Sequence, residues 1–206
     1  MAVLDEIAHE RLVVAEVLDT LTPEQLATPS YCGDWTVHEV GAHLLMPLRT
    51  STLALLGAVL RTGTPDKAND RITHQFAQRP IGEVTAGLRA EANNRFHPPT
   101  LPHEAPLSEL VVHGQDIRRP LGLPVSFSAE TLRPVLAFLA SPKARRGFVP
   151  KGRLDGLRLE ATDVDWSSGD GALVRGPGAA LAYAMCGRTA ANGELDGAGV
   201  EVLAAR

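Results

Sequence analysis

Residues 106–122 read PLSELVVHGQDIRRPLG, and the spacing inside this stretch decides how the rest of the chain is read. At about 100° per residue, helical positions four apart lie within about 40° of each other. Glu109 and His113 therefore share one face, so a carboxylate and an imidazole sit side by side. Asp116 falls on the same arc, while Leu107, Leu110, Val111 and Ile117 fall mostly on the opposite side. Two readings fit. The polar arc is half of a metal site that needs a third ligand from elsewhere, or it is the solvated face of an ordinary amphipathic helix.

Upstream of the stretch, HPPTLPHEAP (97–106) holds four prolines in ten residues and excludes regular structure. Its His97 and His103 are loop histidines. Downstream, Ser128 caps a further helix to about Leu139, with Pro134 in its early turns. Towards the N-terminus, apolar residues recur at helical spacing from Val3 to Leu21, giving a long first helix. A turn-rich connector follows, with a short helix at Glu24 to Ala27. Thr36 and Glu39 have the form of a capping box and open a second helix, expected to run to about Leu60 with a bend at Pro47. His43 lies on the flank of its apolar stripe. Residues 62–80 are polar and are read as a connector with a helical turn near Asp70 to Ala77, and His74 as a solvent-facing histidine. A third helix is expected from Ile81 to about Phe96.

The composition changes after Ser141. LRLEATDVDW alternates as a strand, SSGDG is a turn signal, and ALVRG is the returning strand of a hairpin. A helix follows from Pro177 to Cys186, closed by Gly187, and then one or two short strands between Glu194 and Leu203. This unit of fewer than about 60 residues needs the helices to pack against.

Composition narrows the function. A net charge of −4, with 21% charged residues, and dispersed arginines give no basic tract, so nucleic acid is not expected as a partner. Cys32 and Cys186 form no CxxC pair, which fits reduced thiols. The N-terminus has no basic leader, and the apolar run near Leu53 to Leu60 is too short for a span, so no membrane association and a cytoplasmic location are expected. No P-loop, dinucleotide fingerprint, GxSxG elbow or HExxH is present.

DWTVHEVGAHLL (34–45), ELVVHGQDIRRPLG (109–122) and the late CGR (186–188) together resemble the mycothiol-dependent maleylpyruvate isomerase family, within the wider DinB/YfiT-like metalloproteins. The resemblance spans nearly the whole chain. It implies a mainly α fold, a DinB-like antiparallel four-helix bundle over 1–147, with a small C-terminal α+β domain over 148–206. It also implies that His43, Glu109 and His113 hold a divalent metal, usually zinc, with an open position for mycothiol as thiol cosubstrate. Arg188, in the CGR segment, is the implied contact for a small anionic electrophile, with Arg49 a weaker alternative. The implied reaction is isomerisation or S-transfer; a non-catalytic metal-binding protein and a metal-dependent hydrolase are the alternatives. A monomer or homodimer is expected. Two departures from the pattern stand out: Gln115, where an aromatic residue is common, and the short C-terminal unit.

Overall fold

Thr36 opens its helix through a reciprocal pair of hydrogen bonds. Its hydroxyl accepts from the Glu39 N–H at 3.3 Å, and the Glu39 carboxylate accepts from the Thr36 N–H at 2.7 Å. In the computed structural model, which describes residues 3–98, 100–145 and 147–206 and only the backbone of Thr52, this helix is one of four that form an antiparallel bundle.

The elements in chain order are α1 (Val3–Asp19), α2 (Pro23–Leu26), α3 (Val37–Arg49), α4 (Thr52–Thr62), α5 (Pro65–Phe76), α6 (Ile81–Ala90), α7 (Glu104–Arg118) and α8 (Ala129–Leu139). The strands β1 (Leu157–Ala161), β2 (Ser167–Ser168) and β3 (Ala172–Gly176) follow, then α9 (Gly178–Met185) and α10 (Gly199–Ala204). Helices α1 and α3 each pack against both α6 and α7. Their inward leucines, Leu18, Leu45, Leu88 and Leu107, are fully buried. Burying each stabilises the bundle by about 1.5–3 kcal/mol relative to leaving it in water.

Several boundaries differ from the expectation, each for a local reason. The second helix does not bend at Pro47 and continue. It ends at Arg49, Thr50 is extended (φ −105°, ψ 123°), and Ser51 accepts from the Ala54 N–H to start α4. The polar stretch read as a connector is α5, a full helix capped by Thr64, which buries only Ala68, Ile72 and Thr73. Helix α6 stops at Ala90 because Arg11 reaches across from α1. Its Nη1 donates to the carbonyls of Glu91, Ala92 and Asn94, groups that helix continuation would otherwise satisfy. Helix α7 starts at Glu104, and Pro106 sits in its first turn, where a missing N–H costs nothing.

The hairpin expected after residue 157 is not formed between its two long strands. Strand β1 pairs in parallel with β3, Leu157 opposite Ala172, and antiparallel with the short β2 on its other edge. Two glycines permit this crossing. Gly169 has φ +82°, and a Cβ there would lie 2.1 Å from the Leu157 carbonyl oxygen; a Cβ on Gly171 would lie 1.9 Å from that of Gly156. Where short strands were expected near the C-terminus, α10 forms instead, and Asp196 makes only a bridge to Arg175.

Helix α9 is buried along its whole length. It packs on α7, α8 and the sheet, so Leu181 and Val14 belong to one continuous core. This placement carries the end of α9 to the side of α7 that bears His113.

Candidate metal centre and its cavity

The contact between α3 and α7 brings together the three residues singled out as ligands. Glu109 Oε2 lies 2.9 Å from His113 Nε2 and 3.5 Å from His43 Nε2, and the two imidazole rings meet edge to face, centroids 4.8 Å apart. Donors about 2.0–2.2 Å from a tetrahedral zinc lie about 3.3 Å from one another. The two separations to Glu109 lie near that value and all three donor atoms lie within 4.8 Å of one another, so the group could hold a metal ion.

Each imidazole is held from behind. His113 Nδ1 donates to Asp116 Oδ2 at 2.9 Å, which turns Nε2 towards Glu109. His43 Nδ1 faces the Thr73 hydroxyl at 3.5 Å, and the ring packs on Trp35, centroids 4.9 Å apart. Thr73 belongs to α5, so the polar segment first read as a connector orients a histidine. Such outer contacts fix the tautomer and the ring plane.

Charge follows from burial and these contacts. Burial pushes the His43 pKa below the ordinary histidine value, leaving the ring neutral. Burial alone would raise the Glu109 pKa, yet hydrogen bonds with His113 and His43 outweigh it and hold the carboxyl well below its usual range. For His113 burial acts downward, but the bonds to Asp116, Cys32 and Glu109 prevail and raise its pKa. Without a cation, the proton on this ring balances the carboxylates on either side of it.

Beside the three donors lies a cavity of about 230 Å³, walled by Trp35, Val112 and Phe148 and reached by Cys32, Cys186 and Arg188. The exposed 37% of the Glu109 side chain belongs to a residue of this wall. Gly187, at φ +86°, turns the chain after α9 and brings Arg188 in. Arg188 Nη2 donates to Asp116 Oδ2 at 3.0 Å and to Cys32 Sγ at 3.3 Å, and Nη1 donates to the Cys186 carbonyl at 3.2 Å. A larger, shallower recess of about 500 Å³ is formed by residues 160–167, without a histidine or cysteine.

The other residues raised by the sequence lie elsewhere. Arg49 pairs with Glu91 at 2.7 Å, His74 with Glu39 at 2.8 Å, and His97 meets His103 edge to face. Gln115 is fully buried and donates to the Ala179 carbonyl at 3.0 Å, joining α7 to α9 without reaching the cavity. Sequence reasoning did not find Cys32, Asn69, Thr73, Phe148 or Tyr183. None carries a spacing signal relative to Glu109 and His113, because all arrive from other parts of the chain: Asn69 and Thr73 from α5, Tyr183 from α9, and Cys32 and Phe148 from loops.

The family model described as the mycothiol maleylpyruvate isomerase N-terminal domain matches residues 7–118. Two crystal structures of the mycothiol-dependent maleylpyruvate isomerase, one of them of a mutant, align over 96% of this chain and 96% of theirs. Both are 14% identical, with TM-scores of 0.47 and 0.49. No curated protein matches the chain. Because the family match spans more than half of the chain and takes in His43, Glu109 and His113, the protein belongs to the mycothiol maleylpyruvate isomerase family of mycothiol-dependent isomerases.

Proposed function

We propose that this protein is a divalent-metal-dependent enzyme that uses mycothiol to act on a small anionic electrophile, by isomerisation or by S-transfer, in the cytoplasm. The convergence of His43, Glu109 and His113 beside a walled cavity supports the reading. No described helix is long and apolar enough to cross a membrane. In this proposal the bundle over 1–147 holds the metal, and the unit over 148–206 contributes Arg188.

His43, Glu109 and His113 would hold a zinc ion, which would supply a Lewis acid able to lower the pKa of a bound thiol. The protein's own residues do the rest. Asp116 and Thr73 fix the two imidazoles. Trp35, Val112 and Phe148 keep water from the cavity, which strengthens every charge interaction inside it. Arg188 meets the substrate carboxylate and orients the electrophilic carbon towards the thiol sulfur. Addition of the thiolate to a conjugated double bond moves its electron pair onto the conjugated carbonyl oxygen as an enolate and leaves a single bond that rotates; collapse of the enolate expels the thiolate and restores the double bond with trans geometry. If the enolate carbon instead takes a proton from solvent, the product is an S-conjugate. Burial pushes the Cys186 thiol up to about 12, so this group does not serve as the nucleophile.

The test is turnover of maleylpyruvate by zinc-loaded protein with mycothiol, each omitted in turn. Activity that needs both is expected. Hydrolysis without thiol would replace the proposal with a hydrolase. His43→Ala should lose zinc and activity together; full zinc occupancy in that variant would refute the ligand assignment.

A further inference from the structure

Asp116 is the point where the metal donors meet the arginine, and its two oxygens are not used alike. Oδ2 accepts from His113 Nδ1 at 2.9 Å and from Arg188 Nη2 at 3.0 Å. Oδ1 accepts from the Tyr183 hydroxyl at 2.7 Å, and Arg188 Nε stands off from it at 3.5 Å. A guanidinium free to choose takes a carboxylate with two parallel bonds of about 2.7–2.9 Å. Here the Nη2 bond is near that length, while the Nε bond is stretched to 3.5 Å on the oxygen that also holds the tyrosine.

Tyr183 and Asp116 are both completely buried, whereas 22% of the Arg188 side chain is exposed. Tyr183 lies on α9, shielded from the cavity, with Arg119 over its ring at 5.1 Å. It therefore touches neither ligand nor substrate. We propose that Tyr183 is a positioning residue: its short bond to Asp116 Oδ1 competes with Arg188 Nε and keeps that contact long, so the guanidinium does not close flat on the carboxylate and stays turned into the cavity, where an anionic substrate group binds. The inference rests on the reading of Arg188 as the substrate contact.

Tyr183→Phe removes one oxygen and preserves the packing. With Oδ1 free, Nε closes on it and the guanidinium withdraws. The expected result is a three- to tenfold rise in KM for the anionic substrate, with kcat within twofold and zinc affinity, by chelator competition, within threefold. An unchanged KM would overturn the proposal, as would an equal loss of zinc affinity, which would place the effect on His113. A second measurement uses Arg188→Lys, which cannot form the parallel pair: adding Tyr183→Phe to it should change KM no further, and an additional rise of threefold or more would overturn the proposal. If the wild type turns over no substrate, the functional reading fails by itself. The Arg188 Nε–H resonance then decides the positioning role: a shift in Tyr183→Phe supports it and an unmoved resonance refutes it.

Discussion

Replacing Asp116 with asparagine tests how much the site depends on one carboxylate. The amide keeps the shape, and its orientation is dictated by its neighbours. Its oxygen must face His113 and Arg188, which can only donate there, and its NH2 must face Tyr183, whose hydroxyl can turn to accept. The three short hydrogen bonds survive and only the long one from Arg188 Nε is lost, so the main loss is the charge. Asp116 is completely buried and paired with Arg188 at 3.0 Å. Breaking a buried pair costs about 3–5 kcal/mol when a partner is deleted. Retained bonds and the partial exposure of Arg188 reduce this to about 2–3 kcal/mol. For a chain of this size the melting temperature should fall by about 4–12 °C. The Asp116 carboxyl is held below its ordinary pKa: burial acts upward, but His113 and then Arg188 outweigh it. Its stabilisation is thus complete above the unfolded value of about 4 and is lost as pH falls through the depressed folded value. The gap between wild type and Asp116→Asn should accordingly be full at neutral pH and close below about pH 4. In zinc titrations of metal-free protein, the neutral acceptor behind His113 should weaken binding about ten- to hundredfold. Melting curves from pH 3 to 8 and chelator competition measure both effects. A pH-independent gap, or unaltered zinc affinity, would refute the reasoning.

Thr73→Val keeps the volume and removes only the hydroxyl facing His43 Nδ1; zinc affinity should drop about tenfold, checked by chelator competition. Gly171→Ala puts a methyl group 1.9 Å from the Gly156 carbonyl oxygen, and the backbone on both sides is fixed by strand pairing. It should cost about 3 kcal/mol or more, read as a fall in denaturation midpoint, whereas Gly193→Ala, which meets nothing within 4 Å, should leave the midpoint unchanged.

Local chemistry made part of the fold legible. The capping box at Thr36 and the serine cap at Ser128 both form, because each is decided within four residues. The i, i+4 relation of Glu109 and His113 is similarly local and survives intact. Pairing that depends on distant chain could not be read this way. Of the turn signal at SSGDG only residues 169–171 lie between strands, because Ser167 and Ser168 form β2 and the strand expected to reach Trp166 ends at Ala161; whether ALVRG returns antiparallel or crosses to the other edge depends on how closely two backbones approach at Gly169 and Gly171. Helix α5 was obscured by its polarity: one narrow stripe of Ala68, Ile72 and Thr73 suffices to dock it. The residues that support the His43, Glu109, His113 and Asp116 cluster were hidden because they come from distant elements. Thr73 arrives from α5, Tyr183 from α9 and Cys32 from the loop before α3, and no periodicity links them.

The burial of residues 106–122 also excludes a plain solvated polar face. A solvated polar face would leave Asp116, Gln115 and Ser108 in water, yet all three are completely buried. Burying such groups is unfavourable unless each finds a partner, and here each does. Ser108 donates to the Glu104 carbonyl, Gln115 to Ala179, and Asp116 accepts from His113, Tyr183 and Arg188. Two of these partners, Ala179 and Tyr183, come from α9, whose only polar side chain is the hydroxyl that reaches Asp116, and a third, Arg188, follows directly behind it. The docking of α9 is thus what makes the polar arc of α7 tolerable in the interior, and the same docking delivers Arg188 to the cavity. A helix that had only to stabilise the fold would need neither the buried carboxylate nor the arginine beside it. The cost of burying them is explained by a site that needs a fixed imidazole and an oriented cation a few ångströms apart.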